Sequence, residues 1–186
     1  MSGATTVTVF LALLRAVNLG GETQVGMSEL RDRLTRAGFQ EVRSILQSGN
    51  LVFESPERTS ATVETALDSQ IAPGLGARTE FFVRTAAEWH ELVRQNPFPR
   101  EAANDPGHLL MTVLKESPTP AAWRELAEAI PGRERVEGSG RTAYFVYPDG
   151  VGRSKVTAKF IEARLGTRGT SRNWNTVQKL DALASD

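Results

Sequence analysis

The chain has 186 residues, 40% hydrophobic and 24% charged, with 22 basic residues against 22 acidic ones, two His and no Cys. Such a length supports one domain or two small ones with a core of their own, and the lack of thiols excludes a disulfide framework, thiolate metal ligands and a cysteine nucleophile. His90 and His108 lie far apart with no acidic or second-His partner at ligand spacing, so no metal or cofactor is expected, and zero net charge gives no global pull toward nucleic acid or membrane.

The apolar run Val7 to Leu14 is too short to cross a bilayer and lacks the preceding basic residues of a secretory signal, so it reads as a buried strand in a cytoplasmic protein with no membrane partner. Met27, Leu30, Leu34 and Ala37 recur at helical spacing up to Gly38. Val42 to Gln47 and Leu51 to Glu54 are β-prone runs around the turn composition Ser48-Gly49-Asn50. Val63, Leu67 and Ile71 predict a second helix ending near Pro73-Gly74, and Arg78 to Arg84 another strand.

Ala86 to Gln95 reads as a connecting helix, and Asn96 to Gly107, with three Pro, two Asn and a Gly, as the linker. Leu109 to Leu114 then reads as a strand, Ala121 to Ile130 as a helix, Arg133 to Glu137 and Thr142 to Tyr147 as a hairpin, and Val156 to Leu165 as a helix. Thr167 to Ser171 suggests a short edge strand before a last helix from Trp174 to Ala184. The order β-α-β-β-α-β occurs twice, which predicts an α+β, duplicated ferredoxin-like fold with extra connecting and C-terminal helices. The expected organisation is a first half over 1–84, a connecting helix and linker over 85–107, and a second half with the C-terminal helix over 108–186.

Three polar clusters stand out. In the first, Arg15, Asn18, Gly20 and Gly21 follow the first strand, where paired glycines offer N–H groups to an anion; an ordinary strand-to-helix turn explains the glycines as well. Gly21 and Gly26 mimic a phosphate loop, but Met27 stands where that motif needs lysine, which rejects a nucleoside triphosphatase. The second is Gln47-Ser48-Gly49-Asn50, where a hairpin turn with positive φ accounts for Gly49 and Asn50 but not for Gln47. The third is the segment "TSRNWNTVQKL". With Asn173 as N-cap, Trp174, Val177, Leu180 and Ala184 form one helical face, and Arg172, Asn175, Thr176 and Lys179 another.

Between Val151 and Asp186 seven cations oppose three acids, which is either a solvated face or a local anion site. Within it Lys155 stands near the start of the preceding helix, one turn from Lys159, against the helix dipole, a placement that a bound anion would favour.

The motifs "LLRAVNLGG", "MSELRDRLTRAGFQEVRSILQSGNLVFES", "NPF", "SKVT" and "TSRNWNTVQKL", in this order, closely resemble the bacterial domain of unknown function 1697 family, from about Phe10 to Leu183. Two positions depart from the family pattern, Ala16 in place of Gly and Ile45 in place of Tyr. The resemblance implies a duplicated ferredoxin-like fold and brings no activity with it. The family motifs fall on the three clusters and on Lys155.

These residues suggest a module that binds an anionic, phosphate-bearing ligand such as a nucleotide in a groove between the halves. Its candidate ligand-binding residues are Arg15, Asn18, Gly20, Gln47, Ser48, Asn50, Lys155, Lys159, Arg172, Asn175 and Thr176. Nucleic acid is the weaker partner, because the chain is neutral and shows no aromatic repeat. The alternatives are a hydrolase or transferase using Ser48 or Lys155, which needs an acid or His within hydrogen-bond reach, and a protein-interaction module whose polar motifs serve only caps and turns.

Overall fold

A computed structural model describes residues 6–15, 26–45, 49–75 and 79–185. The chain divides into two compact units, Met1–Glu91 with Lys179–Asp186, and Leu92–Gln178.

The first unit contains β1 (Thr8–Arg15), α1 (Met27–Arg36), β2 (Gln40–Ile45), β3 (Asn50–Ser55), α2 (Ser60–Gln70) and β4 (Glu80–Thr85), followed by α3 (Ala86–Arg94). Its antiparallel sheet has the order β2-β3-β1-β4, that of a ferredoxin-like fold. Alternation along the strands sends Phe10, Ala12, Leu51, Phe53, Phe81 and Val83 to one face, where Leu30 and Leu34 of α1 and Val63 and Leu67 of α2 complete the core. Each of the buried Phe, Leu and Val side chains stabilises the fold by roughly 1.5–3 kcal/mol. Helix α2 also closes the outer edge of β4: Asp68 Oδ1 accepts from Phe81 N at 2.7 Å and Glu64 Oε2 from Val83 N at 2.8 Å. Glu88 of α3 takes the next outward amide, Thr85 N, at 2.7 Å.

The second unit repeats the plan with β5 (Leu109–Leu114), α5 (Pro120–Ala129), β6 (Arg135–Ser139), β7 (Thr142–Val146), α6 (Ala158–Leu165) and β8 (Gly169–Asn173), in the order β6-β7-β5-β8. Leu114, Ala143, Phe145 and Tyr147 pack against Leu126 of α5 and Ile161 and Leu165 of α6.

Where the sequence suggests a linker, the second unit has a short helix, α4 (Pro99–Asn104). Its proline occupies the first turn, where a missing N–H costs nothing. Phe98 beside it is buried, and the Arg135 guanidinium lies 5.0 Å from its ring centroid. The final helix, α7 (Trp174–Ser185), buries Trp174, Val177 and Leu180 as its spacing predicts.

Candidate functional site

In the first unit the described candidates gather at one end of the sheet. Arg15 ends β1 opposite Glu80, the first residue of β4. Alternation places it with Leu11 and Leu13, on the face that α1 and α2 do not cover. Asn50 lies opposite Leu13 on β1 and opposite Ile45 on β2. It is fully buried, and its Nδ2 donates to Ile45 O at 3.3 Å. Asn50 is therefore a strand residue whose carboxamide closes the hairpin, and the expected positive φ belongs to Gly49 alone, at 69°. A Cβ on Gly49 would stand 2.6 Å from Leu14 Cβ, while Gly49 O accepts from Leu14 N at 2.7 Å, so the close approach requires glycine. Asn18, Gly20, Gln47 and Ser48 lie outside the described residues.

In the second unit Arg172 lies on edge strand β8 opposite Met111, on the face away from α5 and α6. Its Nη1 donates to Thr170 Oγ1 at 2.9 Å and to Ser171 O at 2.8 Å. Burial pulls the Arg172 guanidinium down to about 10, still cationic at neutral pH.

This corrects the expected polar face of the last helix. Arg172 is held in the β5 ladder, and the helix begins only at Trp174 because Asn173 Oδ1 accepts from Thr176 N at 3.0 Å. Thr176 is buried and Asn175 exposed, so these neighbours do not share one wet face.

Lys155 and Lys159 also part company. The N-cap of α6 is Thr157, whose Oγ1 accepts from Phe160 N at 3.2 Å, so Lys155 precedes the helix and only Lys159 lies within it. Both are exposed. The segment between β7 and α6 is pinned from beneath: Ser154 Oγ donates to Glu134 and accepts from Val156 N at 2.9 Å, and Tyr147 OH donates to Val156 O at 3.0 Å. Burial, and then the Glu134 charge, push the Tyr147 phenol up to about 12.

Register places these groups at one end of the second sheet. Leu110 pairs with both Phe145 and Asn173, so β7 enters its Lys155 segment and β8 enters α7 at the same level. The two strands stand two spacings apart, about 10 Å.

One feature was missed in sequence. Arg84 faces Leu11 on β4 as Arg172 faces Met111 on β8, and each Nη1 donates to the preceding carbonyl, Val83 O at 2.7 Å and Ser171 O at 2.8 Å. Each arginine precedes a helix-capping residue, Thr85 or Asn173. The signal available was an arginine, then Thr or Asn, then a tryptophan-bearing helix, in both halves.

The histidines each meet one carboxylate, His90 Nδ1 with Asp181 Oδ2 at 3.3 Å and His108 Nδ1 with Asp105 Oδ2 at 2.8 Å. Among the described residues no three His, Asp or Glu gather as metal ligands, and no helix is long and apolar enough to cross a membrane.

Two four-stranded antiparallel units of identical strand order define the class, an α+β protein of repeated ferredoxin-like units. The chain belongs to the family described as "Protein of unknown function (DUF1697)", whose model matches residues 7–144. Lys155, Lys159, Arg172 and Asn175 lie beyond that match. The fold is similar to that of a conserved bacterial protein from Streptococcus pneumoniae, with a TM-score of 0.72 and 21% identity over 96% of this chain and 99% of that chain. No curated protein matches the chain.

Proposed function

We propose that the protein binds an anionic, phosphate-bearing ligand such as a nucleotide, and that Arg172 at the start of α7 is its principal cation. The observation that carries this reading is the difference between two equivalent helix starts. At α3, Glu88 Oε2 accepts from Thr85 N at 2.7 Å while Thr85 Oγ1 accepts from Glu88 N at 3.1 Å, so an internal carboxylate occupies the positive end of the helix. At α7 the residue equivalent to Glu88 is Thr176, and the first turn holds no acid. An external anion supplies there the charge that Glu88 supplies at α3, at a helix start two residues beyond the cationic Arg172.

Asn175, Lys155 and Lys159 are exposed at the same end of the sheet and are the further ligand groups. Arg15 and Asn50 lie at the opposite end of the first unit's sheet from Arg84, the counterpart of Arg172, and Asn50 is buried and bonded within its own hairpin, so neither is among these groups. Titration with inorganic phosphate, nucleotides and short RNA, followed by thermal unfolding, tests the reading. A saturable rise in Tm is expected with at least one of them, reduced about tenfold or more in affinity by Arg172→Gln, the loss of one charge-assisted contact. No rise with any anion, or an unchanged affinity in Arg172→Gln, rejects it.

A further inference from the structure

A strand at the border of a sheet leaves every second N–H and C=O unpaired, and stable proteins block such borders with bulges or with side chains that take the backbone groups. The first unit blocks both of its borders. At β4 the outward amides go to Asp68, Glu64 and Glu88. At β2 the register slips between Gln40 and Arg43, around Glu41 with its φ of 47°. The second unit blocks β8, the counterpart of β4: Glu162 Oε1 accepts from Gly169 N at 3.1 Å, and Arg172 Nη1 donates to Ser171 O at 2.8 Å.

Strand β6, the counterpart of β2, is left open. It pairs with β7 without a slip, from Arg135 opposite Val146 to Ser139 opposite Thr142. Leu114 N donates to Arg141 O and Tyr147 N to His108 O, so the odd-numbered residues of β7 bond toward β5 and the even-numbered ones, Thr142, Tyr144 and Val146, toward β6. Arg135, Glu137 and Ser139 therefore turn their backbone groups inward. Val136 and Gly138 turn theirs outward, with no bonding partner among the described residues.

The side chains of β6 say which strand fits there. An antiparallel copy of β6 centred on Val136 exchanges N–H···O bonds between the two Val136 residues and sets Arg135 of each strand opposite Glu137 of the other, at a Cβ spacing of roughly 4.5–5.5 Å. Centring on Glu137 instead opposes two carboxylates, which disfavours that register. Arg135 and Glu137 are exposed, whereas Val136 lies on the helix side against the core. Arg135 already bonds Glu101, so the backbone exchange carries the pairing and the charges select its register. We propose that β6 is the contact surface for a second copy of this chain, the two four-stranded sheets joining edge to edge about a two-fold axis at Val136.

Sedimentation velocity of the full chain over a graded concentration series, with hydrogen exchange read at single amides, tests this. A reversible monomer–dimer equilibrium is expected, with exchange at Val136 slowing as the dimer forms. Val136→Pro removes an N–H that the β7 ladder does not use, and should abolish the dimer while the circular dichroism stays as in the parent. Glu137→Arg sets arginines against each other and should weaken association about tenfold, and adding Arg135→Glu should restore it by reversing both pairs. A chain that stays monomeric at every concentration, a dimer that survives Val136→Pro, or a double variant that associates no more tightly than Glu137→Arg overturns the assignment.

Discussion

Single residues carry both the clearest agreement with sequence reasoning and its sharpest failure. Gly49 was legible as a turn residue because positive φ and close backbone approach both demand glycine. Asn50 was misplaced because its role depends on partners in β1 and β2, which local composition does not reveal. Tyr147 makes a measurable case of burial. Its phenol is pushed from 10.0 in the unfolded chain to about 12 in the folded one, so the folded state holds the proton more tightly. The resulting stabilisation, roughly 2–3 kcal/mol, is fully present below pH 10 and is lost as the pH rises through about 12. The lowered Arg172 acts in the opposite direction above about 10, because there the unfolded chain binds the extra proton. Tyr147→Phe should therefore cost about 1 kcal/mol at neutral pH, through the lost bond to Val156 O, and should lose less stability than the parent between pH 10 and 12. Urea denaturation across that window measures the difference.

Among the elements, helices and strands followed from periodicity, whereas the junctions depended on caps. Thr157 and Asn173 set the starts of α6 and α7 and thereby leave Lys155 and Arg172 outside the helices. The outer edge of β4 shows an element protected by side chains from another. Its amides at Phe81, Val83 and Thr85 are taken by Asp68, Glu64 and Glu88, so no further strand can pair there without displacing carboxylates. Glu64→Ala should cost about 1–3 kcal/mol by leaving a buried N–H unpaired. It should also accelerate hydrogen exchange at Val83 relative to Leu11. Unchanged exchange at Val83 would show that the carboxylate does not guard this edge.

The whole chain is electrically neutral, with 22 residues of each sign, and this limits how any ligand arrives. Without a net field there is no long-range steering, so association with a phosphate-bearing ligand should vary only a few-fold with ionic strength. Stopped-flow binding at low and high salt checks this, and a steep salt dependence of the on-rate would point to a larger charged surface than Arg172, Lys155 and Lys159 supply. The sequence by itself determined the order of elements, their apolar faces and the repeated ferredoxin-like plan, because periodicity, caps and turn residues act within one or two turns of the chain. Only the tertiary structure decided that Arg172 belongs to a strand and has a counterpart in Arg84, and that Glu134 pins Ser154. Those relations arise from ladder register and packing between residues far apart in the chain, which no local pattern encodes.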